Sequence, residues 1–377
     1  MTPRRLPPAL PDDIVEKIVL RFPADDPAFL LSAALVCKDW CRVICGPDFR
    51  RRFCEFHRNP PLLGVIYRSV GISARRGGWI KQTQFMPTST FRLPTANMSR
   101  WRAIDALHGR ILFCDLESSR GPSEWTEFVV WSPVPGDVRR LPSLPLRRYS
   151  WSAALICATA GCDHHDCSSG AFTVAFVGTD SIEGLTSAYV YSSEQHEWSM
   201  PISIQDRSFE GIKRPSGRVG NTVYFICQRN TKLLAYELCK QELSFISIPP
   251  TCWNCSFTAC TIVDEGRLGF ATAEQFRLFT WSREAGGLDG DGGWTIQRDF
   301  ELDKLLPSCT ISYRHDLFAT TNNNDVIVLK GDHLLCTIDL KSGVVKRLLD
   351  GSAGESIFDS VPYIGFCTPS LPQCKFS

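Results

Sequence analysis

The chain has 377 residues, 41 Lys+Arg against 40 Asp+Glu for a formal charge of +1, 44% hydrophobic residues and 11% aromatic ones. That apolar content sustains folded cores and excludes a disordered chain, and the length predicts two unequal domains. The even charge balance argues against binding to nucleic acid; the densest basic run, Arg50-Arg51-Arg52, reads as a solvated helix face.

Residues 1–7 read as an N-terminal tail in which no apolar leader follows Met1. No apolar run approaches the ~18 residues of a membrane span, so no membrane partner is expected. The 17 cysteines are scattered, many inside apolar runs such as Ile226-Cys227 and Leu335-Cys336. That placement suits reduced thiols used as small hydrophobes, and predicts residence in the cytoplasm, the nucleus or both.

Helical periodicity opens at Leu10-Pro11-Asp12-Asp13, where two carboxylates favour the positive end of a helix dipole and Pro11 sits at its start. Ile14, Val15, Ile18 and Val19 then recur at helical spacing. Pro23-Ala24-Asp25-Asp26-Pro27 breaks this helix, and the nearly all-apolar run Ala28 to Val36 makes a second. A third, Cys37 to Ile44, ends at Gly46-Pro47, and a fourth, Asp48 to about His57, carries Phe49, Phe53 and Phe56 on one side. So small a block with so much apolar surface must pack on the rest of the chain or offer its stripe to a partner.

The phrase Leu10-Pro11-Asp12-Asp13-Ile14-Val15-Glu16-Lys17-Ile18, followed after a spacer by Leu35-Val36-Cys37-Lys38-Asp39-Trp40, resembles the F-box. The resemblance covers residues 8–57 and implies a three-helix module that docks a Skp-type adaptor. Leu10, Pro11, Ile14, Val15 and Ile18 would be buried against that adaptor. Leu35, Val36, Cys37 and Trp40 would join the surface or hold the helices that make it. This chain departs from the pattern in its longer acidic spacer, Ala24-Asp25-Asp26-Pro27.

At Asn59-Pro60-Pro61 the pattern changes to short β-branched and aromatic runs punctuated by Gly, Pro, Asn and Asp. Five passes of similar order follow through residues 60–377, beginning near His108, Phe172, Val219, Gly266 and Asp325. Trp131, Tyr191, Tyr236, Trp281 and Ile338 fall at equivalent places, with steps of about 60, 45, 45 and 57 residues. Strand-rich units of that period predict β-propeller blades. Leu62 to Tyr67 and the terminal Tyr363 to Phe366 would share a sixth blade that seals the ring; an open β-sandwich is the alternative fold. The predicted fold class is therefore α+β multidomain, a small all-α F-box followed by an all-β propeller of about six blades. Val130-Trp131-Ser132-Pro133 with Gly136-Asp137, and Val190-Tyr191-Ser192-Ser193-Glu194, resemble the kelch-like associated region of plant F-box proteins, the grass members most.

Three short motifs are set aside. Cys162-Asp163-His164-His165-Asp166-Cys167 holds two thiols and two imidazoles, but six consecutive residues rarely fold around one ion, so no metal site is assigned. Cys252-Trp253-Asn254-Cys255 lacks a second pair at zinc spacing. The glycine-rich run Gly286 to Gly293 fails the calcium-loop pattern, with Phe300 where a bidentate Glu belongs. No phosphate loop, dinucleotide fingerprint, nucleophile elbow or zinc-protease motif is present. The reading is a non-catalytic subunit with no cofactor: the substrate receptor of an SCF-type ubiquitin ligase, joined through the Skp adaptor to cullin and RING subunits. Its substrate-contacting residues are not assigned. The alternatives are a Skp-bound scaffold without a ligase role and a ligand-binding propeller with a helical cap.

Overall fold

The computed structural model describes residues 10–72, 79–94, 98–115, 125–145, 149–158, 167, 170–180, 182–206, 208, 210–253, 257–263, 267–274, 277–284, 293–305, 316–320, 326–330, 334–350 and 356–369. The tail at 1–7 lies outside them.

Four helices come first: α1 (Asp12–Val19), α2 (Ala28–Ala34), α3 (Lys38–Ile44) and α4 (Pro47–His57). α1 starts behind Pro11 with Asp12 and Asp13 in its first turn and Lys17 in its last, each charge facing the favourable end of the dipole. α4 starts at Pro47, where a missing N–H costs nothing, after an extended Gly46. Val15 and Val19 from α1, Leu30, Ala33 and Ala34 from α2, Cys41 and Ile44 from α3, and Phe49 and Phe53 from α4 form one core. Phe56, expected beside those two rings, stays 51% exposed, its edge against His57.

Among the described residues the rest is a ring of six antiparallel sheets, with a small two-stranded pair, Trp125–Thr126 with Leu144–Pro145, beside it. Blade one contains Trp101–Leu107, Arg110–Asp115, Phe128–Ser132 and Asp137–Arg140. Blade two contains Tyr149–Cys157, Phe172–Asp180, Leu185–Ser192 and Glu197–Trp198, with a short fifth strand, Ile202–Gln205, on the third. Blade three runs Ile212–Val219, Thr222–Cys227, Lys232–Glu237 and Glu242–Ser247; blade four runs Phe257–Val263, Arg267–Glu274, Arg277–Arg283 and Trp294–Glu301. Blade five is Asp316–Thr320, Val326–Lys330, Leu334–Asp339 and Val345–Asp350. Among the described residues the sixth sheet has three strands: Ser356–Ile364 from the end of the chain pairs with Leu62–Ile72, which pairs with Trp79–Pro87.

The first strand of each blade touches the first strands of its two neighbours, and Ser356–Ile364 completes the circuit between blades five and one. The fold is thus a closed propeller and not an open sandwich. Trp131, Tyr191, Tyr236, Trp281 and Ile338 all sit in third strands, opposite Val138, Trp198, Leu243, Ile296 and Val345 of the outer strands. Their spacing in the sequence is therefore the blade repeat itself. A separate apolar cluster fills each of the six gaps between neighbouring blades. Phe128 and Phe176, for instance, meet between blades one and two at 6.0 Å.

In blades one, two and five the turns from third to fourth strand share one construction. Gly136, His196 and Gly343 donate their N–H to the carbonyl four residues back, at 2.8 to 2.9 Å. All three have positive φ, as does Gln241 in the matching turn of blade three. The left-handed conformation explains the two glycines, which adopt it without a Cβ penalty.

Strand direction alternates, so the turns between first and second strands gather on one face of the ring. They include His108-Gly109, the connection after Cys157, and Gly220-Asn221. In the sixth sheet the two chain segments flanking the pair take the place of that turn, and the Gly365 amide donates to the Pro61 carbonyl at 3.1 Å. The helical module hangs from this face. Phe366 enters its core, edge-on to Phe53 at 6.1 Å, and Arg50 donates to the Thr368 hydroxyl at 3.2 Å.

Inside the ring, near the same face, three blades are tied by one charged pair. Asp105 of blade one accepts from the Leu155 amide of blade two at 2.7 Å and from the Arg218 guanidinium of blade three. Arg218 also donates to the Leu155 carbonyl at 2.6 Å, and burial pushes its pKa down to about 10, still charged at neutral pH.

Candidate functional site

The amphipathic pattern of α1 decides which of its apolar residues reach solvent. Val15 and Val19 turn inward, and Val15 is only 1% exposed. Pro11, Leu10, Ile14 and Ile18 lie on the outer side of the same helix and its approach. The last turn of α2 leaves Leu35 at 58% and Val36 at 65% exposure. Cys37 and Trp40 are half-buried, with Trp40 packed against the helical core. The predicted residues thus divide: Leu10, Pro11, Ile14, Ile18, Leu35 and Val36 are open to a partner. Val15 is interior, while Cys37 and Trp40 lie between. α2 adds Phe29 and Leu31, also exposed. The signal for both was the excess of apolar residues in Ala28 to Val36, more than one short helix buries.

Charged contacts surround this apolar surface and hold its helices in place. Arg42 of α3 pairs with Asp12 at the start of α1 at 3.0 Å, and Arg52 of α4 with Glu16 at 2.8 Å. The basic run Arg50-Arg51-Arg52 is spent internally: Arg51 meets Glu55 at 3.0 Å, and Arg50 reaches Thr368. Cys367, beside Phe366, is half-buried, and desolvation pushes its thiol up to about 11, so it is protonated at neutral pH.

The motifs set aside in the sequence fare differently. Of the run at 162–167 only Cys167 is among the described residues, and it is buried. Its partners come from elsewhere: the His108 Nδ1 lies 2.8 Å from its Sγ, and the Cys157 Sγ completes a group of three donors all within 4.8 Å of one another. Judged by its own six residues, this run held no metal site, because the converging groups are a hairpin turn and a strand end from two different blades. Arg110, buried beside this group with its pKa lowered by burial, stacks over Phe172 at 5.1 Å and donates to the Gly170 carbonyl. Cys252 is buried in the turn Pro250–Cys252, while Cys255 and residues 286–292 lie outside the described residues.

Residues 8–52 match the family model of the F-box domain. The chain carries an F-box domain. That domain is the Skp-binding module of SCF-type ubiquitin ligases, and proteins that bear it typically serve as non-catalytic receptors. No curated protein matches the chain. Among solved structures, the nidogen/laminin complex is 10% identical over 81% of this chain and 99% of the other, with a TM-score of 0.44. The U3-55K structure is 10% identical over 81% and 80%, with a TM-score of 0.36. Saccharomyces cerevisiae Sqt1 is 11% identical over 71% and 63%, with a TM-score of 0.37. The propeller assignment rests on the sheets and their closure, not on these distant likenesses.

Proposed function

We propose that this protein is the substrate-recognition subunit of an SCF-type ubiquitin ligase, acting in the cytoplasm or nucleus, its propeller of the kelch-like type associated with plant F-boxes. Leu10, Pro11, Ile14, Ile18, Leu35 and Val36 insert into the Skp adaptor, with Phe29 and Leu31 at their side. Val15 fixes α1 from within, and Trp40 and Cys37 support the turn that carries Leu35 and Val36. The propeller presents a protein substrate. The adaptor supplies cullin and RING subunits, and the rate gain comes from holding a substrate lysine near the charged conjugating enzyme.

The observation that carries this reading is the exposed apolar surface on a module whose own core is already full. Exposed Leu and Ile at helical spacing on a charged background fit groove docking by a helical partner. The test is co-purification of the full chain with a Skp-type adaptor, comparing wild type with Ile14→Asp and Val36→Glu. Both changes lie on the exposed side, so the fold survives and circular dichroism stays unchanged. Each is expected to weaken adaptor binding by about 2 kcal/mol or more, roughly thirtyfold. Normal recovery of both variants would overturn the proposal.

A further inference from the structure

We propose that His108, Cys157 and Cys167 form a zinc site that clamps blades one and two beside the F-box anchor. The donors come from three separate pieces of chain. His108 is the first residue of the two-residue turn joining Trp101–Leu107 to Arg110–Asp115. Cys157 ends the inner strand of blade two, and Cys167 lies in the connection that leads to Phe172–Asp180. An imidazole and two thiols are the donor chemistry of a borderline-soft divalent ion, and carboxylates, which would favour calcium or magnesium, are not among the three.

The distances suit such an ion. A tetrahedral zinc with bonds of about 2.0–2.3 Å holds its ligand atoms roughly 3.5–3.8 Å apart. All three donors already lie within 4.8 Å of one another, and the His108–Cys167 separation of 2.8 Å has to open. The turn itself points the same way. His108 has φ +49 and Gly109 φ +75, a conformation that Asn or Gly adopts at lower cost than histidine. Histidine at that position places an imidazole where the next blade brings its two thiols. Among the described residues the site offers three protein donors.

The position gives the site a mechanical meaning. The Gly109 carbonyl accepts from the Tyr363 hydroxyl at 3.2 Å, and Gly365 passes close to the Gly109 backbone. The next residue, Phe366, is the one buried in the F-box core. Zinc binding at His108 therefore stiffens the turn against which the F-box anchor lies.

The experiment uses the full chain purified with its adaptor under reducing conditions. Its readout is metal content, which does not depend on whether the adaptor stays bound. Zinc is measured by mass spectrometry after dialysis; the stripped protein is then titrated with cobalt alone, a visible reporter of tetrahedral thiolate sites. Wild type is expected to hold about one equivalent of zinc and to show tetrahedral cobalt bands with thiolate charge transfer. His108→Asn keeps the left-handed turn and removes a donor, and it is expected to lose both, as is Cys157→Ser. Cys252→Ser, a buried thiol in another blade, is expected to keep both. The proposal is overturned if reduced wild type binds neither metal, or if His108→Asn binds as wild type does. A Cys157–Cys167 disulfide in peptide mapping of the purified protein would overturn it as well.

Discussion

Phe366→Ala tests whether the propeller's final segment completes the F-box. Phe366 is 9% exposed and meets Phe53 edge-on within a core that otherwise belongs to residues 15–54. Removing a buried phenylalanine costs about 3–5 kcal/mol. A module of roughly fifty residues is stable by only about 2.5–7.5 kcal/mol at typical values per residue. The variant's helices would then be partly or largely unfolded while the propeller, whose six clusters do not include Phe366, stays intact. Apparent adaptor affinity falls in proportion to the folded fraction. A module with 4 kcal/mol to start and 4 lost is half folded, which weakens binding only about twofold. Amide hydrogen exchange reads the loss directly, as protection disappearing from α1 to α4 and persisting in the inner strands. Saturating adaptor should restore that protection, since it binds only the folded module. Unchanged protection of the helices in the free variant would refute the shared core.

Two further outcomes follow from buried charges in the propeller. Arg218→Met strands the Asp105 carboxylate among three inner strands and should destabilise the propeller by about 3–5 kcal/mol in urea unfolding; the double variant Asp105→Leu/Arg218→Met should recover part of this. Asp206 is buried, which opposes its ionisation, but hydrogen bonds from Lys232 at 2.5 Å and from Ser208 prevail and lower its pKa. A depressed carboxylate contributes stability above its unfolded value of about 3.9 and loses it as pH falls through the lower folded value. The gap in urea midpoint between wild type and Asp206→Asn should thus hold from pH 7 to about 5 and shrink below about 4; a gap that widens in acid would contradict the pairing.

The blade repeat was legible because the third strand of blades one to five carries a large residue one or two places before its end, so Trp131, Tyr191, Tyr236, Trp281 and Ile338 carry the period openly. The four helices were legible for a similar reason: their breakers, Pro23, Pro27 and Gly46-Pro47, are local. Local periodicity cannot separate the two sides of α1, since Ile14 and Val15 are neighbours of like chemistry and only the packing of α3 makes one interior. Nor does it reveal Phe366, which completes a core hundreds of residues upstream. The Cys167 group was hidden in the same way, because its two partners belong to another turn and another strand end.

The ring's closure bears directly on how the two parts work together. A propeller sealed by Leu62–Ile72 against Ser356–Ile364 brings the segments on either side of that pair to one face, and the F-box leaves from there. Arg50, Phe53, Phe366 and Thr368 then fasten helix α4 to the chain segment that has just left the ring. Two connections from opposite ends of the propeller fix orientation far better than one flexible linker, because rotation about either is blocked by the other. Position is what the receptor role proposed above requires of the fold. The face left open is the opposite one, where second strands turn into third strands and each outer strand crosses to the next blade. In the role proposed above, a substrate held there would stand across the full height of the ring from the adaptor, at a distance set by inner strands of five to nine residues and not by linker length.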